Sequence, residues 1–387
     1  MSDGPATPVL VLGDPARAQV HETLRAGRLS FESRRGLRVP ERLLVESLPE
    51  AAPGRTLTGF DTEGAVALAA RAIWGPGPEV EWLHLDAYVA RKVEAVIARN
   101  AAKDVRVLCA PDVPGATAPG EAPVLHPPFD LVALPFPRSG EALLGRELIE
   151  EAHAALAIGG RFLAATDNPG GDWLRKVVKE VFGKVGDQRR EKRGVAFVAT
   201  RTREKAVVRD HRHVVRVAGL ELETRPGVFG HDRIDGGTRA LAERLDVREG
   251  ERVLDLGCGY GPLGLAAARQ AREVVLVDSN ARAVLLAGRN ATRNKISNAH
   301  ALLRADLEDL GDEPFDLALA NPPYFSNYRI ARSFVERAHA VLRKGGRLAL
   351  VAKAAEEHAA IAREVFGGAR VDEAPGGYGI ITAVKVS

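Results

Sequence analysis

Val253-Leu254-Asp255-Leu256-Gly257-Cys258-Gly259-Tyr260-Gly261 reads as a buried strand running into a glycine turn and then a helix. Glycines at 257, 259 and 261 permit positive φ and let a ligand lie against the backbone at the helix N-terminus. The next apolar run, Val274-Val275-Leu276-Val277, ends at Asp278, an acid suited to a ribose diol. Dinucleotide sites use the same device. The turn alone therefore leaves three readings open: NAD, S-adenosylmethionine (SAM), or a structural turn with Asp255 as a helix-capping acid.

A second signal narrows the choice. The apolar run Phe315-Asp316-Leu317-Ala318-Leu319-Ala320 leads into Asn321-Pro322-Pro323-Tyr324. An exocyclic amine on a base is a poor nucleophile because its lone pair is delocalised into the ring. Two acceptors aimed at its hydrogens hold it pyramidal and direct the lone pair at a methyl sulfonium. The Asn321 side-chain oxygen and the Pro322 carbonyl are candidates for those acceptors. Prolines fix φ and leave carbonyls outside a strand ladder. Tyr324 offers a face on which a flipped base can stack. Such a site works by positioning and electrostatics and needs no strong general base. With the glycine turn upstream, these residues favour SAM and methylation of a planar nitrogen.

The chain also repeats itself. Pro128-Phe129-Asp130-Leu131 matches Pro314-Phe315-Asp316-Leu317 at a spacing of 186 residues. Ala152-His153-Ala154-Ala155-Leu156 with Gly159-Gly160-Arg161 matches Ala338-His339-Ala340-Val341-Leu342 with Gly345-Gly346-Arg347 at the same spacing. Glu180-Val181-Phe182-Gly183 matches Glu364-Val365-Phe366-Gly367 at 184. Two copies of one α/β fold account for these matches. The first copy has Pro135-Phe136-Pro137-Arg138 in place of Asn-Pro-Pro-Tyr, and Leu57-Thr58-Gly59-Phe60-Asp61-Thr62-Glu63-Gly64 in place of the alternating glycines. It keeps the packing pattern without the pocket, which suits substrate binding or structural support.

In the second copy, strands are expected at 252–256, 273–277, 300–304, 315–320, 347–352 and 380–384, with helices near 262–271, 281–293, 331–343 and 355–366. The alternation implies a mainly parallel sheet covered on both faces, with the pocket at the carboxyl ends of its strands. The expected organisation is a degenerate methyltransferase-like domain over 1–200, a basic linker at 201–216 and a catalytic domain over 217–387.

Composition adds bounds. The 387 residues give room for two domains. No stretch of 18 apolar residues suggests a membrane span, and residues 1–8 lack a signal-peptide pattern, so a cytoplasmic protein is expected. Cys109 and Cys258 make neither a metal spacing nor a disulfide framework, and no metal site is expected; His211 and His213 have no cysteines nearby. Cys258 reads as a small turn residue. Net charge is only +3, but residues 172–216 hold 14 Lys and Arg against six Asp and Glu, densest at Arg189-Arg190-Glu191-Lys192-Arg193. This region is a candidate source of phosphate contacts, or else a solvated loop.

Pro226-Gly227-Val228-Phe229-Gly230-His231-Asp232-Arg233-Ile234-Asp235-Gly236-Gly237-Thr238, just upstream of the glycine turn, completes a pattern. The chain resembles the ribosomal RNA guanine-N2 methyltransferases of the RsmC/RlmG type over almost its whole length, most specifically from about residue 225 onward. The resemblance implies two tandem Rossmann-like class I methyltransferase domains, the N-terminal one degenerate. It implies methyl transfer from SAM to the N2 amine of a guanine in ribosomal RNA, the small-subunit 16S rRNA being the preferred target. Carried over by motif, Asp255, Gly257, Gly259 and Gly261 line the methionine and ribose end of SAM. Asp278 with Ser279 meets the ribose hydroxyls, and Asp306 sits near the adenine or caps a helix. Asp235 and Gly237 close the pocket. Asn321, Pro322, Pro323 and Tyr324 hold the base, with Asn321 also facing the donor.

The sequence departs from the family after Tyr324, where Phe325-Ser326-Asn327-Tyr328-Arg329 replaces an expected His and Gly, and after Val351, where Ala352-Lys353-Ala354-Ala355 replaces an asparagine-led loop. Protein glutamine N5-methylation, adenine N6-methylation and a non-catalytic RNA-binding assembly factor are the alternatives. The oligomeric state is left open, with a monomer as the working expectation. Ribosomal RNA or the small subunit is the expected partner.

Overall fold

The computed structural model describes residues 9–11, 20–24, 27–31, 37–115, 128–204, 209–306, 310–323 and 328–386. Residues 1–8, part of the basic linker at 205–208, Tyr324 and residues 325–327 lie outside the described residues. The chain divides into two compact units, residues 1–211 and 212–387.

The second unit is built on a seven-stranded sheet. From edge to edge its strands are Ala299–Leu303, Glu273–Asp278, Arg252–Leu256, Phe315–Ala320, Leu342–Ala352, Tyr378–Val384 and Arg370–Ala374. The first five pair in parallel, and Tyr378–Val384 runs antiparallel to both neighbours. The central strands Arg252–Leu256 and Phe315–Ala320 are mostly apolar because both faces are covered, Arg252, Asp255 and Asp316 being the exceptions. Arg252–Leu256 is buried along its whole length. Helices Pro262–Ala267, Ala281–Arg293, Arg329–Val341 and Ala355–Phe366 alternate with the strands, as the sequence predicts.

The differences are local. The strand predicted at 347–352 starts at Leu342, because an irregularity in its pairing with Phe315–Ala320 absorbs the Gly345-Gly346 turn and lets the strand continue. The antiparallel hairpin His213–Val217 with Leu220–Thr224 begins inside the stretch read as linker. Ala218 (φ 48°) and Gly219 (φ 70°) make its two-residue turn, a left-handed pair that Ala-Gly signals less clearly than Asn-Gly.

The first unit has the same sheet order: Val105–Cys109, Val80–His84, Thr56–Gly59, Phe129–Pro135, Leu156–Thr166, Gly194–Thr200 and Gly186–Glu191. The repeat seen in sequence is a repeat of structure. Phe129 pairs with Leu156 and Leu131 with Arg161, across the same irregularity by which Phe315 pairs with Leu342 and Leu317 with Arg347. A small three-stranded sheet, Val9–Val11, Gly27–Phe31 and Val20–Leu24, is a feature the repeat does not contain. Among the described residues no helix is long and apolar enough to cross a membrane.

Candidate functional site

Three adjacent parallel strands of the second unit end together. Arg252–Leu256 delivers the glycine turn, Glu273–Asp278 delivers Asp278, and Phe315–Ala320 delivers Asn321. Parallel pairing therefore brings to one edge residues that lie far apart in sequence.

The turn is left-handed at each glycine: Gly257 φ 65°, Gly259 φ 56° and Gly261 φ 92°. The N–H groups of Gly257 and Cys258 both donate to the Val277 carbonyl, locking the turn onto the neighbouring strand. The three glycines do different jobs. A Cβ on Gly257 would sit 3.0 Å from the Phe334 ring, and one on Gly261 2.9 Å from Leu265. A Cβ on Gly259 would meet nothing, so the turn opens there. Asp278 holds this open residue: its Oδ2 accepts the Gly259 N–H at 2.8 Å and its Oδ1 the Asn280 N–H at 2.8 Å. A carboxylate oxygen has two lone pairs and can accept more than one donor. Ser279 is partly exposed beside it. Asp306 is partly exposed in the turn after Ala299–Leu303, directly before residues outside the description.

Asp255 lies beneath the turn, 1 % exposed, where its Oδ2 accepts the Gly264 N–H at 2.8 Å. Burial, with Asp278 nearby, raises its carboxyl to about 7, and only the Gly264 bond opposes the rise. The Cys258 thiol is buried and pushed well up by burial and the same acids, which makes it inert as a nucleophile.

Asn321 carries the sharpest feature. Its Nδ2 donates to Asp235 Oδ2 at 3.0 Å and to Thr238 Oγ1 at 2.8 Å, which uses both amide hydrogens. Its Oδ1 is buried and has no hydrogen-bond partner among the described residues. Pro322 is buried and Pro323 partly buried beside it. Asp235 caps helix Gly236–Ala242, accepting the Thr238 N–H at 3.0 Å, and its Oδ1 accepts the Tyr378 hydroxyl proton at 3.2 Å. Gly236 and Gly237 leave room for that tyrosine: a Cβ on either would stand 3.0 or 2.8 Å from its ring.

The segment read as Pro226-Gly227 is fixed from the helix after Asp278. Asn280 Nδ2 donates to the Gly227 carbonyl and Arg282, fully buried, to the Pro226 carbonyl, each at 2.7 Å. Thr238, Tyr378, Asn280 and Arg282 were not legible as site residues. Thr238, three residues after a capping acid, was the one within reach of a local pattern; Tyr378 is 143 residues from its partner.

The basic stretch falls on the edge strand Gly186–Glu191 and the turn after it. Arg190 pairs with Asp187, Arg189 with Glu191, and Arg42 reaches Glu191 from the helix Val39–Ser47, so much of its charge is neutralised locally. Lys192 and Arg193 are exposed. Charge of this sort also blunts an open sheet edge. His211 pairs with the buried Glu150 at 2.9 Å. Among the described residues no group of three or more His, Cys, Asp or Glu could hold a metal.

A family model described as "Methyltransferase small domain" matches residues 219–382. The Ribosomal RNA small subunit methyltransferase C of Chromohalobacter salexigens is 30% identical over 310 residues, 76% of this chain and 87% of that one. The uncharacterized protein YbxB of Bacillus subtilis is 34% identical over 168 residues, 41% of this chain and 83% of its own length. Among solved structures, the T. thermophilus 16S rRNA N2 G1207 methyltransferase (RsmC), in complex with AdoMet and guanosine, superposes with a TM-score of 0.72 at 26% identity, covering 95% of this chain and 97% of that one.

Proposed function

This chain belongs to the ribosomal RNA small subunit methyltransferase C family, and from that premise we propose that it methylates the exocyclic N2 amine of a guanine in small-subunit ribosomal RNA, with SAM as donor. The observation that carries the proposal is Asn321 Oδ1, a buried acceptor with no partner among the described residues, on a side chain whose two donors are both engaged. A buried carbonyl left unpaired costs about 1–3 kcal/mol, and an incoming N–H recovers it. A guanine N2 amine is such a donor.

Asn321 Oδ1 takes one amine hydrogen and the Pro322 carbonyl the other. Held this way, the nitrogen is pyramidal and its lone pair is freed from the ring. The amine needs no strong base, because its proton becomes acidic only as the new C–N bond forms and the donor's S–C bond breaks, and the proton then passes to water. The neighbouring acid is engaged otherwise: Asp235 serves Asn321, Thr238 and Tyr378. SAM, when bound, supplies an electrophilic methyl on a sulfonium. The residues that fit it are Gly257 and Gly259, whose backbone is open at Gly259, Asp278 for its ribose hydroxyls, and Ser279 and Asp306 at the rim. Asp255 contributes from below by tying the helix start to the first strand. Tyr324 stacks on the base. The first unit supplies substrate contacts or support rather than a second donor site, since Phe60 and Thr62 stand in its turn where the second unit has glycines.

The test is methyl transfer from labelled SAM to isolated small and large ribosomal subunits, with digestion to nucleosides and mass spectrometry. N2-methylguanosine in small-subunit RNA is expected. Asn321→Ala should lower kcat by about 100-fold or more while SAM affinity stays within about twofold. Label in protein or in N6-methyladenosine, or a fully active Asn321→Ala, would overturn the proposal.

A further inference from the structure

We propose that Asp235, Thr238 and Tyr378 form a positioning relay whose task is to point Asn321 Oδ1 at the substrate amine, and that Asp235 acts through Asn321 rather than on the donor. The inference rests on the role given above to Asn321.

A primary amide has two nearly isosteric ends, and a terminal amide torsion is soft. Turned over, Asn321 would offer an N–H to the substrate amine, donor against donor, and the site would fail. A fixed choice of end requires neighbours that reject the wrong one. Asp235 does this: an ionised carboxylate accepts only, so it takes Nδ2 at 3.0 Å and would repel Oδ1. Thr238 Oγ1 takes the second amide hydrogen at 2.8 Å.

The acid is held in turn. Its Oδ2 also receives the Thr238 N–H as the cap of helix Gly236–Ala242, which fixes the carboxylate to a backbone element. Its other oxygen receives the Tyr378 hydroxyl at 3.2 Å, from a strand next to the one that leads into the Ala352-Lys353 loop. Lys353 Nζ lies 5.2 Å from the centre of the Tyr378 ring. The Asp-Gly-Gly pattern at 235–237 then has a physical reading: the acid orients the amide, and the two glycines clear the space through which Tyr378 reaches it.

A residue that merely supports the fold should act the same whether or not Asn321 is present, whereas a relay should not. Tyr378→Phe removes one hydroxyl and keeps the ring. Asp235→Asn keeps the shape of the cap and removes the charge. Hydrogen bonds to a charged group set the expected scale. Tyr378→Phe should lower kcat about five- to tenfold and Asp235→Asn about 30- to 100-fold, with RNA KM and SAM affinity each within about twofold. Placed on Asn321→Ala, both should lose their effect, so that each double variant matches Asn321→Ala within about twofold. SAM binding by calorimetry and the melting transition show in the same samples that the variants are folded. Effects on kcat that persist undiminished in the Asn321→Ala background would overturn the relay. So would a loss of SAM affinity with kcat intact. A fully active Asn321→Ala would instead remove the reading of the site on which the relay stands.

Discussion

In the first unit the strand Thr56–Gly59 passes through Phe60 (φ 59°) and Gly64 (φ 67°) into helix Ala65–Trp74; in the second, Arg252–Leu256 passes through Gly257 (φ 65°) and Gly261 (φ 92°) into Pro262–Ala267. The two turns share their first and last left-handed residues but not the middle one: Gly259 is left-handed (φ 56°), and Thr62, in its place, is not. Phe60 N–H donates to the Leu83 carbonyl as Gly257 N–H donates to that of Val277. Each has a buried acid that receives N–H groups around the helix start, Asp61 within the turn from Glu63 and Ala65, and Asp255 in the strand before it from Gly264. What differs is what stands in the turn. His84 takes the place of Asp278, with the Phe60 ring 5.4 Å and the Trp82 ring 5.8 Å from its own. Glycine at 257 is thus not needed to make the turn, since a phenylalanine holds the same left-handed φ at a cost of about 1–2 kcal/mol. It is needed there to leave the turn open.

The strongest way to break this comparison is to exchange the two residues. Gly257→Phe should abolish SAM binding, by about 100-fold or more, because its Cβ already meets the Phe334 ring at 3.0 Å and a benzyl group would fill the turn. Phe60→Gly should leave SAM stoichiometry and methyl transfer unchanged. Calorimetric titration reads both. SAM bound by the Phe60→Gly protein at a second site would mean that the first unit is only plugged, not rebuilt.

The resemblance between the units was legible because it is written in runs of neighbours. Phe129-Asp130 and Phe315-Asp316 sit at strand starts, where Asp130 accepts the Arg55 N–H and Asp316 that of Arg252. His153 packs edge-on to Phe182 and His339 to Phe366, each pair with ring centres 4.9 Å apart. These were among the residues that matched at constant spacing. The glycine turn, Asp278 and Asn321 were legible for the same reason: each is a short pattern at the end of an apolar run. The relay partners of Asn321 were not, because Thr238 reaches it, and Tyr378 reaches Asp235, only after a helix and the strand Tyr378–Val384 have been placed. Nor was the left-handed start that the two turns share, since Phe60 hides it from any pattern built on glycine.

A smaller effect, with counterparts in both units, is read by pH. Asp255 is raised to about 7 from 3.8, chiefly by burial, so the folded chain holds a proton there that the unfolded chain has lost. Stability from this group therefore falls as pH rises from about 4 to about 7, and the full penalty is present above that. Glu41 in the first unit, raised to about 7 by burial and then by Asp61, has the same sign. His153, lowered to about 4 by burial, has the opposite sign, and His339 is lowered too. The wild-type slope is a sum of opposed contributions, and the informative quantity is a difference. Asp255→Asn should gain stability relative to wild type at pH 8 and lose most of that advantage by pH 5, measured by denaturant titration. A difference that does not change with pH would mean that Asp255 is ionised in the fold.

At the opposite end of the sheets the units should behave alike, with one graded exception. Arg55 lies over the Phe129 ring and Arg252 over that of Phe315, at 5.0 and 4.1 Å, and each pairs with acids on the next strand. The acids differ in burial. Glu81, 2.7 Å from Arg55, has a side chain 4% exposed, whereas Glu273, 2.6 Å from Arg252, is 30% exposed. Removing Arg252 leaves a carboxylate that water can reach, and Arg252→Ala should cost about 1–2 kcal/mol in lost packing and cation–π contact. Removing Arg55 leaves Glu81 with Arg106 at 3.5 Å and little water, and Arg55→Ala should cost about 3 kcal/mol. All three tryptophans, Trp74, Trp82 and Trp173, belong to the first unit, so indole fluorescence follows its unfolding while far-ultraviolet circular dichroism follows both. Arg55→Ala should move the fluorescence transition, and Arg252→Ala should move only the remainder of the dichroism. Equal costs would mean that the exposure of the partner acid does not set the energy of these pairs, and that the bases of the two sheets are interchangeable where their mouths are not.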